Sequence, residues 1–219
     1  MEVSSPSLGD LPREIPIFPL TGALLLPHGR LPLNVFEPRY KAMVEDALAS
    51  GRVFGMIQPD PTLAATPNGP ALYRVGCLGR LSSFSETEDN RMLISITGLI
   101  RFEVTAEVEA RRGYRRVASD FARFIDDLRE GPAPTPRRGA IVAALRAYFA
   151  ARGFDANWEA IDQMEDHELV VTLCMVCPFE PSEKQALLEA PDPASRAGTL
   201  LALLQMGAHD LLEGDHQVS

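Results

Sequence analysis
The sequence predicts an α+β protein, with a β-rich domain over residues 1–130 and a helical bundle over residues 131–219. Three observations carry this. Ile100, Phe102, Val104, Ala106 and Val108 alternate with Arg101, Glu103, Thr105, Glu107 and Glu109, the period-two pattern of a half-buried strand. Pro16, Pro19, Pro27 and Pro32 divide an apolar stretch into pieces too short for helix and suited to sheet edges and strand starts. After Gly131-Pro132-Ala133-Pro134-Thr135-Pro136, which continues neither a helix nor a central strand, the apolar period lengthens to that of helices.

In chain order, Ile15, Ile17 and Phe18, then Leu24 to Leu26, then Leu31, Leu33, Val35 and Phe36 read as three short strands, with Thr21-Gly22 and His28-Gly29 as turns. Pro38 suits a first helical position. Tyr40, Met43, Val44, Ala47 and Leu48 then make one apolar stripe, and Gly51 ends it. Arg52 to Gln58 is a further strand, and Pro59 to Pro70 a loop. Tyr73, Val75 and Cys77 pair as a hairpin with Met92, Ile94 and Ile96 across the acidic loop Glu86 to Asn90. Gly98 marks a bulge or a barrel corner, which points to a closed or nearly closed barrel, and Tyr114 to Ala118 adds a last strand.

Beyond the break, Ile141, Ala144, Leu145, Tyr148 and Phe149 form one helical stripe ending near Gly153, and Leu169, Val170, Leu173 and Cys174 another, stopped by Pro178. Pro181, with Ser182 and Gln185 at capping-box spacing, opens a third helix. Asp192-Pro193 opens a fourth, carrying Ala197, Leu200, Leu201, Leu204, Ala208 and Leu211.

Pro-Ile-Phe-Pro-Leu at 16 to 20, Leu-Pro at 26 to 27, Leu-Pro-Leu at 31 to 33, Phe-Glu-Pro-Arg-Tyr at 36 to 40 and Gly-Met-Ile at 55 to 57 resemble, in that order, the Lon N-terminal domain family. The Phe36 to Tyr40 segment is similar to the stand-alone bacterial form, without ATPase or peptidase domains, and to cereblon-type proteins. Ile94 to Val104 and the segment from Glu183 to Glu189 extend the resemblance over residues 14 to 212. It implies a small PUA-like β-barrel with one or two helices, followed by a C-terminal helical bundle. It also implies a non-enzymatic role in binding exposed peptide segments or a protein partner, linked to proteolysis or quality control.

Composition bounds that function. The chain has 219 residues, 46% of them hydrophobic, enough to bury a core. With no long apolar window and a polar start, it reads as a cytoplasmic protein without membrane contact. A net charge of −9 disfavours nucleic acid as partner. Lys41 and Lys184 are the only lysines, and neither lies in a phosphate-loop spacing. Ser182 and Lys184, two apart at a helix start, diverge rather than form a hydrolytic pair.

Cys174 and Cys177 have redox or zinc spacing. They end a helix instead of beginning one, however, and lack a second ligand pair, so they read as core thiols. His28, His167, His209 and His216 are scattered, and the acidic runs at Glu86 to Asp89 and Asp162 to Asp166 read as loops or helix starts. No catalytic residue, cofactor or metal is assigned. The rival is an RNA-binding PUA-like module using Arg111, Arg112, Arg115 and Arg116 around Tyr114, with Arg137 and Arg138. A peptidase, suggested by family name alone, lacks its residues. Glu37 and Arg39, which packing does not explain, with Leu31, Phe36 and Tyr40, are the partner-binding candidates. Met43, Met56, Met164, Met175 and Met206 contribute adaptable apolar surface.

Overall fold
A computed structural model describes residues 8–129 and 137–214 and divides the chain into two compact units between residues 130 and 131. The break segment Gly131 to Pro136 and His216 lie outside the described residues.

The first unit is a sheet that closes into a ring. Its strands are β1 (Glu14–Pro19), β2 (Arg30–Val35), β3 (Val53–Ile57), β4 (Val75–Glu86), β5 (Met92–Arg111) and β6 (Tyr114–Asp120), in the order β2-β5-β4-β3-β1-β6, with β6 also pairing back onto β5. Only β1 and β3 run parallel; the other pairs are antiparallel. The length of β5, 20 residues, makes closure possible, because its first half carries β2 and β4 while its second half reaches β6. Ile15, Ile17, Phe54, Leu78, Ile100, Phe102 and Val117 fill the interior and are fully buried.

The expected strand at Leu24 to Leu26 does not form. All three leucines are buried, but the run lies outside the ladder; it meets the sheet where the Leu25 side chain covers Gly79 and where Pro27 bridges Gly98. Gly98 is required there: a Cβ on it would sit 2.0 Å from the Leu26 carbonyl oxygen. The bulge expected at this glycine is present, since the ladder passes from Leu78–Ile100 to Gly79–Gly98 and leaves Leu99 unpaired. A second bulge ends the apolar alternation of β5. The pairing skips Thr105 between Val104 and Ala106, side chains beyond it change face, and Ala106 is exposed rather than buried. Arg101, expected among the charged outward residues, is instead buried; its backbone N–H and guanidinium both bond the Asp127 carboxylate of a 3-10 helix at Ala122–Leu128.

One helix, α1 (Pro38–Ala49), covers the ring with Tyr40, Met43, Val44 and Ala47, and Tyr40 stacks on Phe18 at 4.1 Å. Gly51 follows it at φ 71°, the left-handed conformation that ends helices.

The second unit contains α2 (Arg138–Arg152), α3 (Trp158–Gln163), α4 (Asp166–Val176), α5 (Pro181–Glu189) and α6 (Pro193–Gly214). The short α3 has no apolar stripe of its own and was not expected from the sequence; the Asn157 side chain caps it. The capping box of α5 is formed by Glu180 and Glu183, not by Ser182 and Gln185, because the helix starts at Pro181 and Gln185 is turned into the core. Two buried cations reach carbonyls near helix C-termini, Lys184 to Met175 O at 3.4 Å and Arg196 to Leu187 O at 3.0 Å, where the macrodipole is negative. No described helix is long and apolar enough to cross a membrane.

Candidate functional site
The sheet leaves apolar side chains uncovered where β2, β5 and β4 lie side by side. Leu33, Ile94 and Phe84 are directly paired across the three strands, as are Asn34, Leu93 and Ser85 one residue on. Ile94 is buried, Leu31 and Leu33 are half-buried, and Phe84 and Leu93 are 39% and 46% exposed. A cavity of about 500 Å³ is lined by Pro32 to Asn34, Ser83 to Ser85 and Leu93 to Ser95. Just past β2, Phe36 is 63% exposed and borders a second, more polar cavity of about 460 Å³ with Lys41, Asn90 and Arg91. The Lys41 ammonium donates to the Asn90 carbonyl at 2.8 Å and to its side-chain oxygen, so α1 holds the β4–β5 hairpin tip beside Phe36. Successive strand residues point to opposite faces, so Phe84 shares the face of Leu33 and Ile94, whereas Leu93 shares that of Asn34 and Ser85; exposed apolar groups thus gather at this end of the sheet from both faces and favour apolar ligands over ions or phosphates.

The five residues singled out from the sequence divide between this surface and the core. Leu31 and Phe36 belong to the apolar region. Phe36 was expected to close a strand by packing, but β2 ends at Val35 and the ring of Phe36 faces solvent. Glu37 and Arg39 pair with each other at 2.9 Å, about half exposed, and the Arg39 guanidinium lies 4.5 Å from the Tyr40 ring centre. Tyr40 is core; burial pushes its hydroxyl above the usual value, with a further rise from Glu37 and an opposing pull from Arg39. Phe84 and Leu93 were missed. Leu93 carried a signal, since Ser95 and Thr97 beside it in the same parity are polar and an isolated leucine there breaks the pattern.

Five of the six arginines considered for RNA pair with carboxylates, Arg137 being the exception among the described residues. Arg112 pairs with Glu45 at 2.6 Å and Asp46 at 2.7 Å, Arg111 with Asp46, Arg115 with Glu107 and Arg116 with Glu14. Asp46 also accepts a hydrogen bond from the Tyr114 hydroxyl at 2.7 Å. That bond above all, then Arg112 and Arg111, hold its carboxyl below the ordinary range, while burial and Asp46 push Tyr114 up to about 12. Arg138 binds the Ile161, Asp162 and Met164 carbonyls and the Asp166 carboxylate, closing the end of α3.

Ser182 is exposed while Lys184 is buried and bonded to Met175, so the two diverge. Cys174 and Cys177 are buried, and burial pushes both thiols up to about 12, the opposite of an activated pair. Among the described residues no three histidine, cysteine or carboxylate side chains are grouped to hold a metal.

Comparison with known proteins places this architecture. The chain is 26% identical over 203 residues to Lon protease 1 of Thermus thermophilus, covering 87% of this chain and 24% of that protein. It is 32% identical over 101 residues to the Lon protease of Dictyoglomus thermophilum, covering 46% of this chain and 12% of that one. The chain thus spans a quarter or less of these curated relatives. Among solved structures, a Lon N-terminal domain protein from Xanthomonas campestris superposes with a TM-score of 0.59 at 22% identity, covering 86% of this chain and 97% of that one. The N-terminal domain of a Mycobacterium avium complex Lon protease gives 0.60 at 16%, covering 90% and 98%. These likenesses establish the fold, and residues 14–206 match the family described as the ATP-dependent protease La (LON) substrate-binding domain. With most of its length inside that match, the chain belongs to the Lon substrate-binding domain family.

Proposed function
We propose that the chain is a non-enzymatic binding module that captures exposed apolar segments of other proteins, in a role linked to proteolysis or protein quality control. The observation that carries this reading is the set of exposed apolar side chains gathered where β2, β5 and β4 meet: Phe84 on the face of the half-buried Leu31 and Leu33, Leu93 on the opposite face, and Phe36 just past the end of β2. Apolar groups left on a folded domain represent burial that a ligand can complete, at about 25 cal/mol per Å². Family membership supports the same role, since its named activity is substrate binding. Glu37 and Arg39 flank the Phe36 end and are proposed to border the bound segment rather than anchor it, because half their surface stays in water.

The RNA reading loses its main support, because Arg111, Arg112, Arg115 and Arg116 face carboxylates of their own chain. The test is a titration of a permanently unfolded probe, reduced and carboxymethylated α-lactalbumin, at low and high salt, beside a single-stranded RNA. Apolar capture predicts binding of the unfolded protein that persists at high salt, and little RNA binding. Binding to RNA alone, lost steeply as salt rises, would replace this function with the rival one. Incubation with casein and ATP is expected to give neither peptide release nor phosphate.

A further inference from the structure
We propose that the outer edge of β2 takes up an extended peptide by strand addition, the peptide alternating apolar and polar residues and carrying an acidic side chain beside Arg30. This rests on the peptide-binding reading and adds how the peptide is held. β2 ends the strand order and pairs with β5 alone, so its other edge has no strand partner among the described residues.

The backbone groups that face outward follow from the ladder. Gly98 N–H donates to the Gly29 carbonyl at 2.8 Å, and Arg30 is paired with Thr97. Antiparallel pairs alternate between bonded and non-bonded, so Leu31, Leu33 and Val35 turn their backbone groups to β5, and Arg30, Pro32 and Asn34 turn theirs outward. Pro32, which has no N–H, fits the outward set. The edge therefore offers the N–H groups of Arg30 and Asn34 and the carbonyls of Arg30, Pro32 and Asn34.

Side chains give the edge two chemistries. Leu31 and Leu33 lie on one face, covered by Ile96 and Ile94 of β5 on one flank and half-buried, so a strand added on the other flank would complete their burial with apolar residues of its own. Arg30, Pro32 and Asn34 project exposed from the opposite face, and Arg30 makes no ion pair among the described residues. A peptide strand thus meets apolar groups on one face and an uncompensated cation on the other. A second copy of this chain fits less well, because it would bring another Pro32 and another Arg30 into the same ladder.

The probe is a short fluorescent peptide of alternating valine and threonine with one central aspartate, read by anisotropy. Methylating its backbone nitrogens at alternate residues, in the register facing β2, is expected to weaken binding about tenfold or more, whereas methylation in the other register changes it little. Asn34→Pro, which removes an outward N–H the β5 ladder does not use, should weaken the unmodified peptide severalfold. Arg30→Glu should reverse the preference between aspartate and lysine in the peptide.

Equal binding of both methylated forms, or an Arg30→Glu variant with unchanged charge preference, would overturn strand addition. If unfolded α-lactalbumin still bound in that case, peptide capture itself would stand. Self-association of the chain that is lost in Arg30→Glu would also overturn the proposal, making a second copy the occupant.

Discussion
Single residues hold this domain together in ways that differ in kind and magnitude. Gly98 is fixed by close approach, because the Leu26 carbonyl occupies the place of its missing Cβ. Gly98→Ala must push the Leu24 to Leu26 segment away from the ring and is expected to cost at least 1–3 kcal/mol, on the order of overpacking in a core. Urea unfolding measures it. Arg101 and Asp127 are buried to 4% and 10% side-chain exposure, and removing one partner strands the other charge. Arg101→Met or Asp127→Asn is expected to cost about 3–5 kcal/mol, while the double replacement is milder than the sum. The Glu37–Arg39 pair is half exposed, so Glu37→Ala should change stability by at most about 1 kcal/mol. Arg39→Ala should cost slightly more, through its loss from the Tyr40 ring. A melting temperature unchanged by Glu37→Ala together with weakened peptide capture would assign Glu37 to the binding surface.

At the scale of elements, α1 is joined to the β5–β6 hairpin by a carboxylate cluster with a definite pH dependence. The Asp46 carboxyl titrates lower in the folded protein than its ordinary 3.8, through the Tyr114 hydrogen bond and then Arg112 and Arg111. The unfolded chain therefore binds more protons in that interval, and stability falls as pH falls. The contribution is complete above the unfolded value and disappears as pH drops through the folded one. Glu107, depressed mainly by its Arg115 hydrogen bond, acts in the same sense. Asp46→Asn should flatten the acid limb of stability against pH, and its deficit relative to the parent should vanish in strong acid. A deficit independent of pH would point to packing rather than ionisation.

In the helical unit, Cys174→Ala and Cys177→Ala are each expected to cost about 1–2 kcal/mol with no change in metal content, since both side chains are core. Native thiols should react with a maleimide only as fast as the protein opens.

For the whole molecule, sequence periodicity and turn signals were enough to place all six strands, α1 and most of the bundle, because each element has one apolar face turned to a core. It failed where tertiary context overrode local pattern. Leu24 to Leu26 has the composition of a strand, yet it joins no strand of the sheet and instead lies with the Leu26 carbonyl in the place of a Cβ on Gly98. Arg101 sits in charged parity but is buried because a distant carboxylate, Asp127, folds over it. The bulge at Thr105 inverted the faces of half a strand, and no glycine announced it.

The proposed binding surface was legible only in part. Phe36 and Leu31 lie in the motif that carried the resemblance, but strand pairing across long separations in the chain brings Phe84 onto the face of Leu31 and Leu33, and Leu93 onto the opposite face of the same strands.

The central claim is that this uncovered surface captures unfolded protein. The direct measurement is a titration of reduced, carboxymethylated α-lactalbumin against the parent chain and a Phe84→Ser, Leu93→Ser double variant, which removes the exposed apolar group from each face of this end of the sheet, with the melting temperature of each recorded. Both side chains are substantially exposed, so the variant should melt within a few degrees of the parent. The account predicts that it binds at least tenfold more weakly. Equal affinity of the two proteins for the unfolded probe would contradict it.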